Sequence, residues 1–247
     1  MNLQKLMSKV RRACEDYDMI QANEKISVAI SGGKDSLATL MALAAMRRFY
    51  PKPYTLSAIT VDLGLEGFDT SGVRDLCDRL DIPYTVIKTD IAKIIFDDRA
   101  ESNPCSLCAQ MRKGALNAEA LKQGCTRVAY GHNRDDIIQT FFLSLFYEGR
   151  IHSPLPVTYL DRTHIHVIRP LIYVPEMDVV GFAKKYSLPV VKSPCPIDGY
   201  TKREAMKHYV SNERTKYKDF DSVIFTAIKG MWGPVKIHSK RKGNTHD

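Results

Sequence analysis

An uncharged run, Ile26-Ser27-Val28-Ala29-Ile30, leads straight into Ser31-Gly32-Gly33-Lys34-Asp35-Ser36 and then into an Ala/Leu/Met-rich stretch over 35–48. The first reads as a buried strand, the last as a helix. The chain must therefore turn from strand to helix through a tight glycine loop. That junction argues against all-helical and all-β folds and asks for a parallel sheet with crossover helices. The rest of the chain repeats the alternation. Further strands are expected at 54–61, 84–88, 127–130 and 164–168, and helices at 2–20, 70–80, 106–122, 134–147, 175–186 and 201–215. The expected class is α/β: a doubly wound parallel sheet of about five strands, with an N-terminal helix and C-terminal helices. The Gly/Pro-containing stretch 148–163 reads as a loop over the crevice, and the polar, basic chain past Gly233 as a disordered end.

Glycines at such a turn let the main chain approach an anion closely. Successive N–H groups then form an anion cradle, and the helix beginning near Lys34 adds its positive end. Ser31 and Ser36 can donate to phosphate oxygens, and Lys34 supplies a point charge. Asp35 would repel phosphate, so it is expected either to bind Mg²⁺ or to cap the helix. An ordinary strand–turn–helix junction explains the glycines alone, but not Ser, Lys, Asp and Ser at these offsets. The loop lacks the Walker spacing. Ala29 and Asp62 fall at the carboxyl ends of the first two strands, where a doubly wound sheet places its ligand. After the fourth strand comes Gly131-His132-Asn133-Arg134-Asp135-Asp136. There Gly131, His132 and Asp136 are candidates for the phosphate and Mg²⁺ site, whereas Asp135 reads equally well as a helix cap.

The six cysteines are Cys14, Cys77, Cys105, Cys108, Cys125 and Cys195. Cys105-Ser106-Leu107-Cys108 has the spacing of two thiolates on one metal centre. Cys195, in a Pro-bracketed loop, is the best third member. Cys14, Cys77 and Cys125 read as small buried hydrophobes. Three thiolates fall one short of a usual structural zinc site or [4Fe–4S] site. Spacing alone leaves two readings: a cluster with one iron open to hydrosulfide, or persulfide chemistry on Cys105 or Cys108 resolved by Cys195. Charge points outward. Between Thr201 and Asp247, eleven Lys and Arg stand against five Asp and Glu, most of the formal +8. By itself that is a solubilising surface; beside the motifs it suggests a polyanion such as RNA. No apolar run approaches the roughly 20 residues of a membrane span, and Met1-Asn2-Leu3-Gln4-Lys5 lacks the core of a secretory signal. The chain is thus expected in the cytoplasm, away from membranes.

Ser31–Ser36 resembles the PP-loop of the adenine nucleotide α-hydrolases, which adenylate a substrate and release pyrophosphate. That loop, Cys105 and Cys108, the Gly131–Asp136 segment, Ile168-Arg169-Pro170-Leu171 and the lone Cys195 together resemble the TtcA/TtuA group of tRNA thiolases, and most closely its 2-thiocytidine branch. The resemblance covers roughly 20–200, in the same order. It implies ATP and Mg²⁺ at Ala29, Ser31–Ser36, Asp62, Gly131, His132 and Asp136. It also implies a [4Fe–4S] cluster on Cys105, Cys108 and Cys195. Lys34, Asp35 and the three cysteines are the implied catalytic residues. The implied reaction adenylates the 2-oxo oxygen of a tRNA base, cytidine, and replaces it with sulfur. The implied partners are tRNA, a sulfur donor (a cysteine desulfurase or free sulfide) and a second copy of the chain. Residues 1–200 would be the catalytic domain and 201–247 a basic helical extension. Lys113, Arg112 and the C-terminal basic residues would hold the tRNA backbone. Two departures stand out. The paired zinc fingers of the TtuA branch are missing, and Cys195-Pro196-Ile197-Asp198 has one cysteine where a C-x-x-C-like element is usual. The competing readings are a PP-loop ligase or amidotransferase with zinc on the cysteines, and a non-catalytic RNA-binding module.

Overall fold

A computed structural model of the chain describes residues 1–98, 104–192, 194–195 and 202–233. The elements in order are α1 (Leu3–Asp16), β1 (Glu24–Ala29), α2 (Lys34–Met46), β2 (Tyr54–Asp62), α3 (Ser71–Arg79), β3 (Tyr84–Lys88) and α4 (Ile91–Lys93), which continues as a π-helical turn over Ile94–Asp98. Then come α5 (Pro104–Lys122), β4 (Arg127–Ala129), α6 (Arg134–Tyr147), β5 (Val157–Leu160), β6 (Ile165–Ile168), α7 (Glu176–Lys185), α8 (Lys202–Lys216) and α9 (Phe220–Met231).

The six-stranded sheet runs β3-β2-β1-β4-β6-β5. All pairings are parallel except the β5–β6 edge. Alternation along the strands covers both faces. Val28 and Ala58 join one apolar cluster with α1, α2, α6 and α7, while Ala29 and Ile59 join a second with α4 and α5. Leu37, Leu40 and Leu43 of α2 are fully buried. Each such leucine stabilises the fold by about 1.5–3 kcal/mol relative to exposure.

From β1 the chain winds through β2 to β3, then returns to β4 on the other side of β1. That reversal opens a crevice between the ends of β1 and β4. Ser31–Ser36 follows β1 and Gly131–Asp136 follows β4, so both motifs sit at the crevice.

Two expectations change. The sheet has six strands rather than about five, because β5 lies inside the stretch read as a loop. It is a four-residue edge strand joined to β6 by a tight turn, too short to give an alternation signal. A further helix, α9, follows α8. Its Phe225 and Ile228 are buried, and α8 lays Tyr209 across Phe142 and Phe146 of α6. The chain from 234 onward lies outside the described residues.

Candidate functional site

The loop after β1 is shaped by its own side chains. Gly32 has φ +81°, a left-handed conformation that suits glycine. A Cβ there would lie 2.9 Å from Val191 Cβ, and the Val191 N–H donates to the Gly32 carbonyl at 2.9 Å. Ser36 Oγ donates to the Gly33 carbonyl at 2.8 Å, and Ser31 Oγ accepts from the Gly33 N–H at 3.3 Å. Gly33 is the N-cap of α2 and offers no side-chain acceptor. The first N–H groups of the helix therefore keep their capacity for an anion.

Asp35 does not cap this helix, since it already lies within the first turn. Its Oδ1 accepts from Asn133 Nδ2 at 2.9 Å and its Oδ2 from Lys34 Nζ at 2.9 Å. The second loop is thereby tied to the first. Gly131 makes the approach possible: a Cβ there would lie 2.7 Å from the Asp35 carbonyl carbon and 2.8 Å from Ser36 N. Asn133, which sequence reasoning missed, is the cap of α6. Its Oδ1 accepts from the Asp135 and Asp136 N–H groups at 2.8 and 3.1 Å, and Asp136 Oδ2 accepts from the Asn133 N–H at 3.0 Å. This is a capping box, signalled by Asn-x-x-Asp before an apolar run. Asp135, read as a possible cap, is instead buried. It accepts from the Glu176 N–H at 2.7 Å and pairs with Arg214.

A cavity of about 290 Å³ opens between the loops. Ala29, Ser31, Asp35, Ser36, Gly131 and His132 line one side, and Arg112, Lys113 and Leu116 of α5 the other. Asp62 lines an adjoining cavity of about 60 Å³ with Ser31, Leu65, Phe68, Arg112 and Pro194. Lys34, Gly32, Gly33 and Asp136 belong to the framing loops. Lys34 Nζ sits between Asp35 Oδ2 and Glu176 Oε1, at 2.9 and 3.0 Å. Burial opposes its charge, but the two carboxylates outweigh that and raise its pKa.

Two groups carry marks of a ligand site. His132 Nδ1 is shielded from solvent and has no hydrogen-bond partner, and the ring stacks on Tyr130 at 5.8 Å. Burial, then Arg169, lowers its pKa to about 3. Burial, reinforced by Asp35 and opposed by the Asn133 N–H, raises Asp136 to about 6. Asp35 and Asp136 are the carboxylates here that a divalent cation would bind. A prediction follows from His132. Its folded pKa lies below the unfolded value, so acidification through 6.5 binds protons to the unfolded chain first. Its share of stability should fall by up to about 1.4 kcal/mol per pH unit below that point. The imidazole NMR signals of His132 should not titrate between pH 7.5 and 5, and His132→Asn should flatten the acid limb of the stability profile.

The cysteines gather one helix turn away. Cys105 and Cys108 open α5 on the same face, three residues apart. With Cys195, Ile95, Phe96 and Arg112 they line a cavity of about 270 Å³. Burial pushes the Cys108 thiol up; Arg112 opposes this, and Cys195 and Cys105 add to the rise. Among the described residues, no three His, Cys, Asp or Glu side chains converge on a point suited to a single metal ion. Cys14, Cys77 and Cys125 are buried, in keeping with a packing role. Arg112 lines all three cavities. It and Lys113, expected against an RNA backbone, line the crevice. Part of the C-terminal positive charge is paired with carboxylates. Arg203 pairs with Asp136 at 3.3 Å, Lys207 with Glu176 at 3.5 Å, and Arg214 with Asp221 at 2.8 Å.

Known proteins match the chain. The PP-loop domain family matches residues 2–214. The chain is 34% identical over 238 residues to the tRNA-cytidine(32) 2-sulfurtransferase of Aliivibrio salmonicida (strain LFI1238), covering 93% of this chain and 77% of that one. It is 35% identical over 230 residues to the protein of the same name from Citrifermentans bemidjiense, covering 92% and 90%. Among solved structures, the U34-tRNA thiolase NcsA from Methanococcus maripaludis with its [4Fe-4S] cluster superposes with a TM-score of 0.75 at 26% identity. That match covers 93% of this chain and 78% of the other. No helix among the described residues is long and apolar enough to cross a membrane.

Proposed function

The chain belongs to the PP-loop domain family, in the company of the tRNA-cytidine(32) 2-sulfurtransferases, and from that premise we propose that it is an ATP-dependent tRNA sulfurtransferase. The base it modifies is cytidine, at the 2-oxo position. One observation carries the reading: Cys105, Cys108 and the sequence-distant Cys195 share a cavity whose wall, Arg112, is also the wall of the cavity between the PP-loop and the Gly131 loop.

Cys105, Cys108 and Cys195 would hold a [4Fe–4S] cluster. The fit rests on the donor set and on the spread of the thiols around a cavity, since in such a cluster each thiolate binds a different iron, with no common centre required. When bound, the cluster supplies an iron without a protein ligand, at which a sulfur atom can be carried. Asp35 and Asp136, close enough for one to raise the pKa of the other, would hold Mg²⁺.

The remaining work falls to the chain. The α2 N-terminus and the Ser31 and Ser36 hydroxyls receive the β- and γ-phosphates. The 2-oxo oxygen of the base attacks the α-phosphorus, and pyrophosphate departs with its charge met by loop N–H groups and Lys34. The base carbon is now bonded to a good leaving group. A sulfur nucleophile from the cysteine side forms the C–S bond as the C–O bond to AMP breaks. Neutral His132 can give or accept a hydrogen bond in the pocket without adding charge. The target base must leave its stack to reach this depth, as a base in a single-stranded loop can. Residues 1–200 form the catalytic unit in this reading, and 201–247 a basic extension. A sulfur donor, free sulfide or a cysteine desulfurase, and a second copy of the chain complete it in the cytoplasm.

The test is turnover under anaerobic conditions with tRNA, ATP, Mg²⁺ and sulfide. AMP and pyrophosphate should appear in step with 2-thiocytidine in the digested tRNA. Lys34→Ala should slow all three by at least about 100-fold, the scale on which one charge-stabilising donor is lost. Undiminished thiolation by that variant would remove Lys34 from the mechanism. Zinc in place of about four irons per chain would favour the ligase or amidotransferase reading.

A further inference from the structure

We propose that Glu176 is a positioning residue for Lys34. Its carboxylate holds the lysine outside the phosphate seat until a pyrophosphoryl group draws it in, and Lys207 then neutralises the carboxylate left behind. The proposal rests on the reading that this crevice takes ATP.

The geometry is that of a shared acceptor. Glu176 Oε1 lies 3.0 Å from Lys34 Nζ and 3.5 Å from Lys207 Nζ. Two ammonium groups thus contend for one oxygen. Lys34 comes from the PP-loop and Lys207 from α8. The carboxylate between them is held in place by its backbone. Glu176 is the first residue of α7, and its N–H donates to buried Asp135 at 2.7 Å. Asp135 is in turn pinned by Arg214, which pairs with Asp221 at 2.8 Å. Lys34 meets that anchored residue at the end of a flexible four-carbon side chain, whose ammonium group can swing.

Lys34 has a choice between Glu176 and an incoming phosphate. Its tether to Asp35, the adjacent residue, allows either. Glu176 therefore competes with pyrophosphate for the same cation. Weakening that competition should tighten binding of the leaving group; strengthening it should loosen it. Lys207 acts on the competitor by taking part of its charge, so its removal should strengthen the hold on Lys34. Glu176 and Lys207 should accordingly have opposite effects.

The experiment is calorimetric titration of the full chain with ATP–Mg²⁺ and, separately, with inorganic pyrophosphate–Mg²⁺. Glu176→Gln should tighten pyrophosphate binding roughly fivefold, the worth of one partly exposed ion pair. In turnover the same variant should be more sensitive to added pyrophosphate. Glu176→Asp, which keeps the charge, should lie closer to the unsubstituted chain. Lys207→Met, at an exposed position, should weaken pyrophosphate binding by a similar factor. A merely structural role would weaken binding in both variants, and that result overturns the proposal, as does no change in either. Should Glu176→Gln unfold, shown by its thermal melt, Glu176→Ala takes its place with the same expected tightening, and weaker binding in that variant, or unchanged or tighter binding in Lys207→Met, overturns the proposal. If the unsubstituted chain bound neither ATP nor pyrophosphate, the ATP reading itself would fall. Binding by that chain with variants of the same sign sinks only the role given to Glu176.

Discussion

Purified without oxygen, the Cys195→Ala protein should be colourless, hold little iron and make no 2-thiocytidine, while Cys77→Ala keeps colour, iron and activity. The two cysteines differ in surroundings. Cys195 shares a cavity with Cys105 and Cys108, and after burial both neighbours add to the rise of the Cys108 thiol. Cys77 is fully buried in α3, away from that cavity, and burial lifts its thiol to about 11, which disfavours the thiolate. A [4Fe–4S] centre that loses one of three protein thiolates should lose most of its occupancy, so the expected effect is close to total. ATP binding should survive in Cys195→Ala, because the phosphate seat lies in the neighbouring cavity. Normal iron content in that variant would remove Cys195 from the ligand set; loss of ATP binding together with iron would point to collapse of the site.

The second large effect belongs to a residue without a side chain. Gly131→Ala should weaken ATP binding by at least about 30-fold and destabilise the fold by roughly 1–3 kcal/mol, the usual cost of forcing one extra carbon into a packed place. The new Cβ would meet the Asp35 carbonyl carbon at 2.7 Å, its oxygen at 2.8 Å and Ser36 N at 2.8 Å. These are backbone atoms of the PP-loop helix and cannot swing aside like a side chain. The loops would have to part, breaking the Asn133–Asp35 hydrogen bond and displacing His132. Gly124→Ala is the informative control. Gly124 has φ +73° but nothing within 4 Å of a Cβ, so only conformational strain applies, about 1 kcal/mol, and ATP binding should be untouched. Calorimetry and thermal melts read both quantities. Unchanged ATP affinity in Gly131→Ala would mean that the two loops do not form one seat.

The PP-loop was legible because its chemistry is local: glycines, hydroxyls and a lysine within six residues, between a strand and a helix. The cysteine site was legible through donor counting, since two thiolates call for a third. Other features depended on distant partners. Glu176 is an ordinary acidic residue at a helix start until the fold brings Lys34 beside it, 142 positions away. Asp135 reads as a plausible cap in the sequence, and only the turn of the backbone decides that Asn133 caps while Asp135 is buried against Arg214. The charge of the C-terminal region was counted correctly, yet a count does not show that Arg203, Lys207 and Arg214 face carboxylates of the crevice. Val157–Leu160 is too short to announce itself as a strand and exists because β6 offers it an edge.

Helix α5 also sets a length. It starts with Cys105 and Cys108 and reaches Arg112, Lys113 and Leu116 within a few turns. At about 1.5 Å of rise per residue, Cys108 and Leu116 stand some 12 Å apart along a rigid rod. In the proposed reaction the helix is therefore a ruler between the place where a base would be activated and the place where its new atom would arrive. Loops at either end can shift while that span holds. A single residue inserted between Cys108 and Arg112 would turn everything beyond it by about 100°. Each half could then still hold its own cargo, but they would no longer face the same base.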